Sequence, residues 1–170
     1  MSTPSDPSFF RLGAATPEAL PTVTAGRVRA LLAQRGVDAQ VSETESAEIM
    51  HVTVAGCDVM VIVSGDDDLM QFRARWNQSV DAERIVEMLT VINEWNGSRL
   101  WPMGYILQDG DGVLGLYADM SLDVATGLTD SALERFIGRA LEALTEFFEF
   151  LESRLVLPLE ELDKPGAFGL

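Results

Sequence analysis

The sequence predicts an α+β fold: an antiparallel sheet of five to six strands with three main helices, in the order α-β-β-β(-β)-α-β-β-α. Several short segments alternate apolar and polar residues, as strands with one buried face do. Three longer segments instead space their apolar residues at intervals of three and four, as helices do. The turns between most strands are too short for the crossovers of a parallel sheet.

The length and composition indicate one globular domain. The chain has 170 residues, of which 47% are apolar, so it can bury a substantial core. Four of the seven prolines lie in residues 1–21, which we predict to be a flexible arm. Residues 22–157 are predicted to form a single α+β domain, and residues 158–170 an irregular tail.

The charge argues against several classes of partner. The net charge of -15 repels nucleic acid and anionic membrane surfaces, and it favours a neutral or basic partner. The N-terminus lacks the pattern of a signal peptide, and no apolar run reaches the roughly 18 residues of a membrane span. A single cysteine excludes an intrachain disulfide. We therefore expect a cytoplasmic protein that binds neither nucleic acid nor membrane.

The first half reads as a helix followed by strands. The helix is predicted to begin after an N-cap at Thr24 and to end before Gly36. Strands are expected near residues 39–42, 49–54, 59–63 and 69–76, and the apolar third one should be central. Residues 55–58, including Cys57, read as a hairpin turn.

The centre reads as a helix over residues 81–96, a corner at Pro102 and two paired strands, 103–108 and 113–122. Gly97 is expected to end the helix in a left-handed conformation. The predicted buried stripe of this helix is Ile85, Met88, Leu89, Ile92 and Trp95, widened by Val86 and Val91.

The last helix is predicted over residues 130–155, with Thr129 as its cap. Its apolar stripe includes Phe147 and runs for six turns, longer than one small sheet should cover. Phe150 lies off the stripe and adds apolar surface. We therefore expect an exposed apolar portion of this helix to form an interface.

The residues that usually support catalysis are sparse. His51 is the only histidine, which excludes most histidine-dependent triads and metal sites. Cys57 has acidic neighbours that disfavour a thiolate. The acids at 66–68, 109 and 111 lack calcium-loop spacing and read as turns. We predict no catalytic residue, no metal and no cofactor.

Candidate binding residues are arginines and aromatic residues. Arg73 and Arg75 share the face opposite the core, next to Trp76; they either bind a partner's carboxylates or pair with acids of this chain, and we favour pairing. Trp95 and Trp101 flank the corner and either form an aromatic pocket or pack in the core, which we favour. The predicted partner-binding set is Arg73, Arg75, Trp76, Trp95, Trp101, Phe147 and Phe150.

Three segments carry a family resemblance. They are LMQFRARW (69–76), VINEWNGSRLWPMGYI (91–106) and GLYADMSLDVATGLTDSALERFI (115–137). Over residues 23–153 the chain resembles the YbjN domain family, which shares the fold of class I type III secretion chaperones. The matching positions are Ile92, Asn93, Asn96, Trp101, Pro102, Gly127, Leu128 and Thr129.

The resemblance implies a non-enzymatic role. It suggests a polypeptide-binding, chaperone-like or regulatory protein, a homodimer with a further, unidentified polypeptide partner, in a family associated with bacterial sensory transduction. The alternative is a small-molecule-binding sensor that uses an aromatic pocket near Trp95 and Trp101. A deep pocket with converging polar groups would favour the sensor, whereas a shallow exposed surface would favour polypeptide binding.

Overall fold

The computed structural model describes residues 19–44, 47–64, 68–78, 80–109 and 112–155. It confirms the predicted fold class and the predicted order of elements. The elements are α1 (Ala25–Gln34), β1 (Gln40–Glu43), β2 (Ala47–Val54), β3 (Cys57–Ser64), β4 (Leu69–Arg75), α2 (Ile85–Ser98), β5 (Met103–Gln108), β6 (Leu114–Asp123) and α3 (Asp130–Leu155). Most of the predicted arm, all of the predicted tail and the acids at 66, 67 and 111 lie outside the described residues.

The strands form one antiparallel sheet in the order β1-β2-β3-β4-β6-β5. β3 lies inside this sheet, as its apolar sequence predicts. Alternate residues of each strand face the helices and form the core, because successive side chains point to opposite sides of a sheet. On the inner strands these core residues are Met50, Val52, Val59, Val61, Val63, Met70, Phe72, Ala74, Leu116, Ala118 and Met120.

The predicted caps of α1 and α3 are confirmed. The Thr24 hydroxyl accepts a hydrogen bond from the Arg27 N–H, and the Thr129 hydroxyl accepts one from Ala132. Both bonds satisfy N–H groups that a helix start leaves unpaired. The Leu128 N–H also donates to the Pro21 carbonyl at 3.0 Å, which ties the chain before α1 to the start of α3.

The end of α2 differs from the prediction. Gly97 lies inside the helix, which continues to Ser98 and leaves at Arg99 in an extended conformation. No left-handed residue is needed, because the Arg99 N–H and the Ser98 hydroxyl both donate to the Trp95 carbonyl. The chain then turns through a cis Trp101–Pro102 peptide bond into β5.

Side chains of α2 hold this corner to the outer edge of β5. The Trp95 indole N–H donates to the Pro102 carbonyl at 3.0 Å. The Asn96 amide accepts from the Gly104 N–H and donates to the Gly104 carbonyl, each at 2.9 Å. Gly104 must be glycine, because a Cβ there would lie 2.6 Å from the Phe147 ring.

Two expectations about the helix surfaces are wrong. Val86 and Leu89 were expected in the buried stripe of α2 but are exposed, because Met88, Ile92 and Trp95, with Val91 partly buried beside them, fill the space above the sheet. The stripe of α3 is covered along its length. Because α1, α2 and the sheet all contact α3, it presents no long exposed apolar portion.

Candidate functional site

Among the described residues, no helix covers the second side of the sheet, and its side chains form a groove of about 590 Å³. The cross-strand register aligns residues from five strands on this face. The side chains that line it are those of Asp38, Gln40, His51, Thr53, Asp58, Met60, Arg73, Arg75 and Tyr117, and it also borders Val52 and Val59, whose side chains face the core. A concave surface with mixed apolar and polar groups is a typical binding surface.

Arg73 is held by an acid of the neighbouring strand. Its guanidinium contacts the Asp119 carboxylate at 3.1 Å, and Gln71 donates to the same carboxylate at 2.9 Å. Asp119 stands directly across from Arg73 in the register of β4 and β6. The hydrogen bonds that Arg73 donates to Asp119 raise the pKa of Arg73 further, so this guanidinium remains charged.

Arg75 is held by an acid from a turn. Its guanidinium donates to Asp109 at 2.9 Å, and the Tyr117 hydroxyl donates to the other carboxylate oxygen. These two hydrogen bonds lower the pKa of Asp109. Gly115 makes room for the cluster, because a Cβ at that position would lie 2.8 Å from the Tyr117 ring and 3.2 Å from Arg75 Nε.

Two tyrosines complete the face beside the arginines. The rings of Tyr105 and Tyr117 stack at 5.8 Å between centroids, with 15° between their planes. Burial and the neighbouring Asp119 raise the pKa of Tyr105 far above its ordinary value. Burial and the bond to Asp109 raise the pKa of Tyr117. Both hydroxyls therefore remain neutral at physiological pH and provide no base for catalysis.

The groups left available to a partner are acidic, apolar or neutral. Both arginines already have carboxylate partners, as we predicted from the abundance of acids. Asp38 and Asp58 also line the groove, and neither has an ion pair among the described residues. Met60 lies half-buried among them. The groove therefore suits an apolar segment with basic groups better than an acidic one.

The other predicted partner-binding residues lie elsewhere. Trp76, Trp95 and Phe147 are buried in the core, where a partner cannot contact them, and Phe150 is half-buried against the Trp95 ring at 5.3 Å. Trp101, which we expected on a buried face, is 39% exposed and packs edge-on against Phe136. The structure therefore separates the aromatic residues from the arginines.

The two residues with intrinsic chemical reactivity occupy unremarkable positions. The His51 ring is exposed and makes a hydrogen bond with the Ser42 hydroxyl at 3.0 Å. Cys57 is not in the hairpin turn, as we expected, but begins β3 and is fully buried, since Ala55 and Gly56 alone make the turn. Burial raises the pKa of its thiol and disfavours the reactive thiolate.

Sequence reasoning missed Asp109, Tyr117, Met60 and Asp119 as members of this face. Asp109 reads as a turn residue, and its bond to Arg75 joins positions 34 apart in sequence. Tyr117 and Asp119 lie on the polar side of a predicted strand, and this alternation was the one sequence feature that could have placed them on the face.

Among the described residues, no three histidine, cysteine or acidic side chains could hold a metal ion, and no helix could span a membrane.

These features define a class: an α+β domain with three helices on one face of a six-stranded antiparallel sheet and an open groove on the other. The chain belongs to the YbjN family, described as "Putative bacterial sensory transduction regulator", whose pattern matches residues 24–153. This confirms the predicted family membership.

Two solved structures share the fold. The crystal structure of YbjN, "a putative transcription regulator from E. coli", is 18% identical, with a TM-score of 0.63 over 81% of this chain and 96% of that one. An uncharacterized protein from Methanothermobacter thermautotrophicus is 14% identical, with a TM-score of 0.52 over 76% and 96%. No curated protein matches the chain. At these identities the structures establish the fold alone.

Proposed function

We propose that the chain is a non-enzymatic regulatory protein of the cytoplasm that binds an extended polypeptide segment across the open face of its sheet. The observation that supports this most directly is the groove itself. It crosses five strands and presents half-buried Met60 between hydrogen-bonding side chains, which suits a chain with alternating apolar and polar groups.

The expected segment is apolar with basic side chains. The whole chain has a net charge of -15, which attracts a basic partner over a distance. At the groove, Asp38 and Asp58 form no ion pair within the part of the chain that the structure describes, whereas the charges of Arg73 and Arg75 are balanced by Asp119 and Asp109. The predicted contact of a partner with Arg73 and Arg75 would then use the flat faces of their guanidinium groups, with Asp58 providing the ion pair to a basic side chain.

The proposal can be tested by cross-linking from the groove. A photoreactive phenylalanine analogue at Met60 should capture a discrete polypeptide in the native host, whereas the same analogue at exposed Glu142 on α3 should not. The captured segment, made as a synthetic peptide, should bind the purified protein. Asp58→Asn should weaken this binding about tenfold, because one charge contact is lost.

Equal binding to a variant with an altered groove would contradict the proposal. If the synthetic segment bound wild type and a Met60→Glu variant equally well, the groove would not be the binding site. A folded Met60→Glu protein is expected, because Met60 is only partly buried and its side chain points away from the core. Circular dichroism of the variant provides the control.

A small-molecule sensor is the second candidate function. The groove volume of about 590 Å³ lies within the range of about 300–1,000 Å³ typical of ligand pockets. The groove lies on the open sheet face and does not include Trp95 or Trp101, so a sensor would use Met60, Tyr117 and His51 instead. Saturable binding of a host metabolite, abolished by Met60→Glu, would favour this function.

A further inference from the structure

The middle of the groove contains a slot between facing side chains. Met60 lies across from Arg73 on one side and across from His51 on the other in the strand register. Neighbouring strands lie about 4.7–4.9 Å apart, so the backbones that carry His51 and Arg73 stand roughly 10 Å apart with Met60 between them. We call this position the Met60 slot. It is wide enough for one flat side chain, which needs a contact of about 3.5–4.0 Å on each side.

The guanidinium of Arg73 is fixed by its edge. Its Nε and Nη2 atoms donate to the two carboxylate oxygens of Asp119 at 3.2 and 3.1 Å. Because guanidinium N–H groups point outward in the plane of the group, Asp119 occupies an edge and makes no hydrogen bond to the flat faces. The Arg73 side chain is 35% exposed. It therefore provides a fixed charged plane at the Met60 slot that a partner can reach.

Elsewhere in the chain, arginine side chains lie over aromatic rings. The guanidinium carbons of Arg99 and Arg154 lie 5.3 Å and 5.2 Å from the ring centroids of Trp95 and Phe150. Within the described ranges, no ring lies over Arg73 in this way. Stacking on an aromatic face is a favourable use of a guanidinium plane. The plane of Arg73 is thus available to a ring from a partner.

An aromatic ring matches the Met60 slot better than an aliphatic side chain does. A ring has electron-rich faces, which attract the guanidinium of Arg73 and make favourable contacts with the sulfur of Met60. An aliphatic side chain would cover the same charged plane without any attraction that compensates for the lost water. The slot therefore distinguishes between kinds of apolar side chain.

The charge beside the slot selects the residue that flanks the ring. Asp58 lies two positions from Met60 on β3, about 6.5 Å away on the same face of the sheet. It is exposed and forms no ion pair with any residue that the structure describes. A long basic side chain next to the ring can span this distance. The net charge of -15 also favours a basic residue over an acidic one.

We propose that the Met60 slot takes an aromatic side chain of the bound polypeptide, which stacks on the guanidinium of Arg73, and that a basic residue beside the ring pairs with Asp58. This inference rests on the proposed function. It narrows the partner to segments in which a phenylalanine, tyrosine or tryptophan lies one or two positions from a lysine or arginine.

Three short peptides test both parts of the proposal on the full-length protein. The probe is acetyl-Ala-Lys-Phe-Lys-Ala-amide, and its controls replace the phenylalanine with leucine or both lysines with glutamate. Binding is followed through the ¹³C-labelled methyl group of Met60, up to about 10 mM peptide, where a fragment with a Kd of about 1 mM is nearly saturated.

The phenylalanine peptide should bind about three- to tenfold more tightly than the leucine peptide, as expected for one cation–π contact. It should also move the Met60 resonance by the ring-current effect, which leucine cannot produce. The glutamate peptide should bind about tenfold more weakly than the lysine peptide with the same ring, because Asp58 and the acidic chain repel it.

An arginine-to-lysine change separates stacking from charge. Arg73→Lys retains a cation beside Asp119 but removes the flat plane. It should weaken binding of the phenylalanine peptide about three- to tenfold and change binding of the leucine peptide by less than about twofold. Arg139→Lys, at an exposed position of α3, is the matched control and should change neither. Circular dichroism should show that both variants are folded.

Several results would overturn this inference and leave the proposed function intact. They are equal affinities of the phenylalanine and leucine peptides, equal effects of Arg73→Lys on both, and a phenylalanine peptide that does not move the Met60 resonance. A segment cross-linked at position 60 that Met60→Glu releases, but that carries no aromatic residue, would overturn it as well. By contrast, a cross-linked segment that binds Met60→Glu as tightly as wild type would contradict the proposed function itself.

Discussion

At the scale of single residues, the open face depends on one glycine. Gly115 lies on β6 beside the cluster of Arg75, Asp109 and Tyr117, all of which approach its missing side chain within 3.3 Å. The flexible Arg75 side chain could move away from a Cβ at position 115. The Tyr117 ring could not, because its stack with Tyr105 and its hydrogen bond to Asp109 hold it in place. Glycine is required at this position because the neighbouring side chains leave no room for a Cβ, and not because the backbone adopts a positive φ.

Gly115→Ala should therefore destabilise the protein by about 1–3 kcal/mol, the usual cost of forcing a methyl group into a packed site. Chemical denaturation measures the free energy of unfolding. The matched control is Gly26→Ala in α1, where the nearest atom lies 3.9 Å away, so that variant should be neutral or more stable by up to about 1 kcal/mol. Equal effects of the two changes would contradict the packing of the cluster.

The two tyrosines provide a spectroscopic test, because the chain contains no others. Both have a raised pKa in the folded state, so folding favours their neutral forms. Their stabilising contribution is present below the unfolded value of about 10 and is lost as pH rises through the folded values. Absorbance at 295 nm should show less tyrosine ionisation at pH 10 in the native protein than in urea, where both tyrosines titrate near pH 10. Native titration near pH 10 would contradict the buried stack.

At the scale of elements, Asn96 replaces a neighbouring strand. Its side-chain amide donates to and accepts from the backbone of Gly104 as an adjacent strand would, and so fixes the angle between α2 and β5. Both Gly104 and Asn96 belong to one of the three segments that carry the family resemblance, residues 91–106. The corner is thus held by hydrogen bonds rather than by a helix-ending glycine.

Asn96→Ala should reduce the free energy of unfolding by about 1–3 kcal/mol, because it removes two bonds and leaves two backbone groups without partners. Asn96→Asp retains the acceptor only and should lie between. Gln34→Ala, at the exposed end of α1, is the control and should change stability by less than about 0.5 kcal/mol. A neutral Asn96→Ala variant would show that packing alone holds the corner.

The sequence was sufficient for elements whose signals are local. The strands and α3 follow from periodic apolar residues, and the caps at Thr24 and Thr129 follow from residue type. Gly97 was misleading because a glycine after a helical stripe usually ends a helix. Here hydrogen bonds from Ser98 and Arg99 to the Trp95 carbonyl end the helix at Ser98, two residues beyond the predicted end at 96. Helical spacing also counted Val86 and Leu89 as core, since spacing does not reveal how wide a stripe the sheet can cover.

The candidate site was predictable only in part. The pairing of Arg73 and Arg75 with acids followed from the excess of acidic residues, but the particular acids depend on the sheet register. Asp109 and Asp119 lie 34 and 46 residues from their arginines. The groove likewise depends on β1, β2, β3, β4 and β6 lying side by side, which no local pattern encodes.

At the scale of the whole molecule, the two faces of the domain have different roles. The helix side of the sheet buries the core. The open side of the sheet presents the groove, which we assign to a polypeptide partner. The net charge of -15 favours a basic partner for that groove.

Methionine methyl resonances test the central claim, that a polypeptide binds the open face. Met60 and Met103 lie on that face, whereas Met50, Met70, Met88 and Met120 are buried in the core. The protein is labelled with ¹³C at the methionine methyl groups, and the polypeptide segment that was cross-linked at position 60 is added as a synthetic peptide. The Met60 resonance should shift in a saturable way, whereas the four core resonances should stay nearly unchanged. A segment that binds to saturation without moving Met60 would contradict the proposed site.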